Sequence, residues 1–255
     1  GFVSGESGAI LNTSNNGNTW QSLQTGQDVI IYDIAFADTL KGFAVGAKGT
    51  ILTTTDGGQN WTMQTSGTDG GLYTIHLISC DTVLIAGANG FILKTTNGGS
   101  DWNQLSTNTV TWFSDLYFIN SAIGFAAGEN GAIFRTANGG ATWDSLNVGD
   151  DEWLESIVFT DELTAYTCGG LDYFRKTTDG GLSWAEINLP VSTTLYDIWF
   201  CNPDTGFVVG TFGNIFKTEN GGQDWLQQTT PTNEGLKSIY FIDDQNGFAV
   251  GNLGA

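Results

Sequence analysis

The residues best equipped for chemistry in this 255-residue chain are few and fall close together. Asp150, Asp151 and Glu152 are consecutive, Trp153 follows them directly, and the pair Asp172 and Tyr173 comes shortly after. Glycoside hydrolysis needs two carboxyl groups roughly 5–9.5 Å apart across the scissile bond, and these four acids are the set that could supply them. Trp112 occupies the position equivalent to Trp153 one repeat earlier. Aromatic faces beside carboxylates also suit plain binding, by stacking and hydrogen bonding, with no bond broken. The expected contact surface is therefore Trp112, Trp153, Asp150, Asp151, Glu152, Asp172 and Tyr173, with no catalytic residue assigned. Glycosidase chemistry is the alternative, and a third reading has the two Trp plugging the end of a channel.

A second series alternates carboxylate with hydroxyl: Asp33, Thr74, Asp115, Ser156, Asp197 and Ser238. Hard oxygen ligands of this kind suit Ca²⁺. The plainer expectation is that each Asp accepts hydrogen bonds from a neighbouring repeat, so no cofactor and no metal site are expected. The single histidine, His76, and the cysteines Cys80, Cys168 and Cys201 lie in different columns of the repeat, with no zinc-ligand spacing and no disulfide framework.

The formal charge is −19, from 27 acids against eight bases. Such a chain repels phosphate backbones and anionic lipid surfaces, so nucleic acid is excluded as a partner. No run of some eighteen apolar residues occurs, and no membrane insertion is expected. Nine Trp, seven Tyr and sixteen Phe supply a large core, while 36 Gly against three Pro mark frequent tight turns.

The elements that must carry these residues are repeats. Trp20, Trp61, Trp102, Trp143, Trp184 and Trp225 recur every 41 residues without a slip. One unit reads as four strands: residues 29–37, the GFAVG of 42–46, the TILTTT of 50–55, and residues 60–64. The first strand bears the core columns, one from Ile34 to Ile239 and another from Phe36 to Phe241, and both its faces are largely apolar, as in a blade held between two neighbours. The fold class is all-β, a β-propeller of four-stranded 41-residue blades. Six blades are favoured, the alternatives being seven blades or a segment of a longer array. Residues 1–255 are expected to form one domain, its ring closed by 236–246 pairing with 1–25. Residues 247–255 are then a spare strand that could pair with another copy.

The turn between third and fourth strands is the most specific motif: TSNNGNTW, TTDGGQNW, TTNGGSDW, TANGGATW, TTDGGLSW and TENGGQDW, centred on Asn15, Asp56, Asn97, Asn138, Asp179 and Asn220. It resembles the Asp-box, or bacterial neuraminidase repeat, and the resemblance implies a structural role for these six residues and the Trp that ends each turn. Sialidases of that kind use three arginines, whereas this chain has only Arg135 and Arg175. The spacing from GFAVG to the Asp-box Trp is similar to that of the photosystem II assembly and stability factor family and its secreted bacterial relatives. That resemblance implies a non-catalytic scaffold, extracellular or at the cell surface, binding a protein or glycan on the face opposite the Asp-boxes. Xyloglucanase-like hydrolases share the motif but resemble a pair of propellers with an acid from each.

Overall fold

In a computed structural model, the structure describes residues 1–146, 151–243 and 245–254. Apart from single 3₁₀ turns, the regular elements are short antiparallel strands in seven sheets that follow one another along the chain. The second to sixth sheets have four strands each, the first has three and the last two. This is the strand arrangement of β-propeller blades. The first sheet begins with Phe2–Ser4 paired to Ile10–Asn12, and in the last Leu236–Phe241 pairs with Gly247–Gly251. The strand expected to be spare therefore has a partner within its own chain. Two compact units account for the chain: Gly1–Gly124 with Thr136–Trp143, and Phe125–Arg135 with Asp144–Ala255.

The second sheet shows the local logic. Its strands are Ile31–Phe36, Gly42–Gly46, Ile51–Thr54 and Thr62–Gln64. The first is shorter than the sequence suggests because Val29 and Ile30 are spent at its entrance, where their carbonyls accept from Gly8 N at 2.6 Å and Ala47 N at 2.9 Å. Glycine closes the second strand for a steric reason: a Cβ on Gly46 would lie 2.2 Å from the Ile30 carbonyl oxygen. The same approach recurs at Gly87, Gly169, Gly210 and Gly251, at 2.0 to 2.2 Å. That close entry is followed by a register shift in the first strand, between Ile31 and Asp33, Leu72 and Thr74, Leu154 and Ser156, Leu195 and Asp197, and Leu236 and Ser238. A β-bulge of this kind leaves one residue out of the ladder and re-aims its side chain.

Packing within each unit repeats as strictly as the sequence. In the first unit, Phe43, Val45, Ile51, Leu72, Ile75, Val83, Ile85 and Leu93 form one buried cluster. In the second, Tyr166, Cys168, Phe174, Leu195, Ile198, Val208, Phe216 and Trp225 form another. Neighbouring sheets are joined by stacked rings from a second strand and the next first strand: Phe2 on Phe36 at 3.8 Å, Tyr166 on Phe200 at 4.5 Å and Phe207 on Phe241 at 4.0 Å. Such stacks contribute about 0.5–1.5 kcal/mol each beyond the area they bury.

Candidate binding surface

The Asp-box residues are occupied by their own turns. In 177–184, Thr177 Oγ1 donates to Asp179 Oδ1 at 2.7 Å and accepts from Gly181 N at 3.0 Å, while Asp179 Oδ1 accepts from Ser183 N at 2.9 Å. The pattern recurs at Thr13 and Asn15, Thr54 and Asp56, Thr95 and Asn97, Thr136 and Asn138, and Thr218 and Asn220. The Ser183 hydroxyl, with help from its backbone N–H, holds the Asp179 carboxyl down at about 2. The Trp rings seat edge-on against core aromatics, Trp61 on Phe36 at 6.0 Å and Trp143 on Phe118 at 6.0 Å.

The opposite ends of the sheets carry the candidate surface. There the turn joining second and third strands is tied to the entrance of its own sheet's first strand, as by Ala88 N to Gly71 O at 2.8 Å, and to that of the next sheet's, as by Gly90 N to Thr111 O at 2.8 Å. In the first unit the bulges turn out Tyr32, which is 43% exposed, and Tyr73, which is half-buried. Tyr73 stacks on Trp112 at 6.0 Å with 30° between planes, and meets Tyr32 edge-on at 5.0 Å. Trp112 remains 39% exposed. Three rings from three successive repeats thus form one accessible aromatic row. The sequence pointed to Trp112 but not to Tyr32 or Tyr73, which read as ordinary members of an apolar strand. Their signal was the column itself, which continues with Tyr196.

In the second unit the equivalent bulged positions are Glu155, Tyr196 and Lys237. Lys237 Nζ lies 3.2 Å from the centre of the Tyr196 ring, a close cation–π contact. Burial raises the Glu155 carboxyl, against which the charge of Lys237 acts. Trp153 is half-buried, and its carbonyl accepts from Gly170 N at 3.0 Å. Asp151 is exposed and Glu152 half-buried, its carbonyl accepting from Gly131 N at 2.5 Å. Asp150 lies outside the described residues. Asp172 stands where other repeats have glycine, at φ +68°, and its carboxylate takes the Ser192 hydroxyl at 2.5 Å and the Thr193 N–H. Tyr173 is 2% exposed, its ring covered by the Arg175 guanidinium at 4.6 Å. Asp172 and Tyr173 therefore take part in holding the irregular fifth turn, and of the six described candidates in this region and the first unit, Asp151, Asp172 and Trp112 are the exposed ones.

Within each unit the alternating series bonds sheet to sheet. Asp33 accepts from Ile34 N at 2.7 Å and from Ile75 N of the next sheet at 2.7 Å. Thr74 Oγ1 donates to Asp115 at 3.3 Å. Asp197 accepts from Ile198 N and Ser156 Oγ on one oxygen and from Ser238 Oγ and Ile239 N on the other. Even with those four donors, burial dominates and raises its carboxyl to about 6. These oxygens are already used as acceptors, which is the hydrogen-bonding role expected for the series.

Comparison with known proteins agrees with this geometry. A solved structure described as YCF48 bound to D1 peptide matches with a TM-score of 0.82 at 21% identity, over 99% of this chain and 85% of that one. YCF48 from Cyanidioschyzon merolae matches with a TM-score of 0.78 at 18% identity, over 99% and 88%. The GH74 xyloglucanase from Xanthomonas campestris matches at 0.80 and 11% identity, over 99% of this chain but 49% of its own. At these identities the likeness is one of fold, a β-propeller. No curated protein matches the sequence. The family model described as Photosynthesis system II assembly factor YCF48 matches residues 12–110, 101–189 and 178–255, so the chain belongs to this PSII_BNR family.

Proposed function

We propose that this chain is a non-catalytic protein-binding module and that the row of Tyr32, Tyr73 and Trp112 is its contact surface. The observation that carries the reading is that three aromatic rings, two turned out by bulges in successive strands and the third standing just before the next first strand, meet at the ends opposite the Asp-boxes. Large aromatic side chains on a rigid scaffold are the usual anchors of protein interfaces, since they bury much area at little entropic cost. Family membership supports the same reading, because a solved relative holds a peptide. The engagement of Asp172 by Ser192 and Thr193 counts against its use as one of a catalytic carboxyl pair. An extracellular or cell-surface setting belongs to this proposal and rests on the likeness to secreted repeat proteins.

The test is a peptide array and a polysaccharide array probed side by side with the wild type and with Trp112→Ala. Peptide binding that weakens at least tenfold in Trp112→Ala, with no reducing sugar released above blank, is the expected result. Release of sugar, or binding confined to the polysaccharides, would overturn it.

A further inference from the structure

The middle residue of the turn between second and third strands is in the left-handed region in all seven repeats: Ser7, Lys48, Asn89, Asn130, Leu171, Phe212 and Leu253 have φ of +45° to +59°. Asn adopts this conformation readily, whereas bulky side chains clash with the backbone there, and such strain persists chiefly where function holds it. Burial does not explain the choice in the last three repeats. Leu171 is 78% exposed, Phe212 74% and Leu253 91%. All three belong to the second unit, on consecutive sheets whose first strands pack together. Each turn is anchored alike to the entrance of its first strand, by Gly170 N to Trp153 O at 3.0 Å, Thr211 N to Thr194 O at 2.9 Å and Asn252 N to Gly235 O at 2.9 Å. The tips therefore project from corresponding ends of three neighbouring sheets.

We infer that Leu171, Phe212 and Leu253 form a docking surface for a basic amphipathic segment of a partner protein. The apolar tips receive its apolar face. Charge selects its polar face: Asp151, Glu152 and Glu234 lie at the same sheet ends, in a chain whose formal charge is −19. A second copy of this chain would bring another −19, so self-association on this surface is opposed by long-range repulsion. The surface uses none of the residues of the Tyr32, Tyr73 and Trp112 row, and the two can fail independently.

The experiment uses fluorescein-labelled helical peptides of matched apolar face, one with Lys and one with Glu on the polar face, titrated by anisotropy at 150 mM salt. The proteins are the wild type, Trp112→Ala and the double variant Leu171→Asn with Phe212→Asn. Asn suits the left-handed turn, so the double variant keeps or raises its melting temperature. The Lys peptide is expected to bind the wild type and Trp112→Ala equally and the double variant at least tenfold more weakly, with the Glu peptide unbound. Equal binding by the double variant would reduce the effect to bulk charge and overturn the inference. So would dimerisation of the wild type, seen by light scattering and lost in the double variant.

Discussion

Ser238 donates its hydroxyl to Asp197 Oδ2 at 2.9 Å from one neighbouring sheet, while Ser156 reaches Oδ1 at 3.3 Å from the other. One carboxylate thus ties three consecutive sheets of the second unit. Asp33 does the same work between two sheets of the first unit through Ile75 N. The hydroxyl partners supplied by the alternating series explain why carboxylate and hydroxyl take turns along it.

This arrangement makes stability depend on pH. Burial raises the Asp197 carboxyl from an ordinary 3.8 to about 6, so its protonated form favours the folded chain. That contribution is complete below about 3.8 and is lost as pH rises through about 6. In Asp197→Asn the contribution is absent at every pH, and two of the four donors lose an acceptor, at roughly 1–3 kcal/mol for each buried group left unpaired. Melting temperatures between pH 7.5 and 4 should show the wild type gaining on the variant as pH falls. A constant gap would contradict the assignment.

His76 titrates with the opposite sign. Burial lowers it from 6.5 to about 4, and its Nε2 accepts from Phe118 N at 3.2 Å, so the folded chain prefers the neutral ring. Its contribution is complete above 6.5 and is lost as pH falls toward 4. His76→Gln, which keeps an acceptor for Phe118 but carries no titrating proton, should narrow its gap to the wild type over that window. Thermal melts in a single buffer series would separate this effect from that of Asp197.

Equivalent glycines should respond differently to alanine. A Cβ at Gly46 meets the Ile30 carbonyl at 2.2 Å, whereas one at Gly5, the same column in the three-stranded first sheet, meets nothing within 4 Å. Gly46→Ala should cost about 1–3 kcal/mol or more, as overpacking against backbone does, and Gly5→Ala should be close to neutral. Urea denaturation of the two variants checks this. Similar losses in both would show that the close strand entrance is not what requires glycine.

The amino-acid sequence by itself determined the repeat, the four strands of each unit, the Asp-box turns and the core columns. These are one-dimensional facts: a 41-residue period, and hydrogen bonds that span two or four residues, as from Thr177 to Asp179 and Gly181. The alternating Asp and hydroxyl series was legible for the same reason, its partners lying one period apart. Only the tertiary structure decided which of the remaining residues are exposed and which are engaged within the chain. Tyr32 and Tyr73 are turned out at a register shift in the pairing with the second strand; the column they share with Tyr196 marks them as a series, but strand alternation does not show the shift. Asp172 accepts hydrogen bonds from Ser192 and Thr193, on a loop twenty residues on, and the Arg175 guanidinium lies over the Tyr173 ring, contacts that no spacing in the sequence shows. Leu171 and Phe212 look like core residues in composition, yet the turn that holds them at positive φ leaves them in water. Exposure is a property of neighbours in space, which the period aligns but does not name.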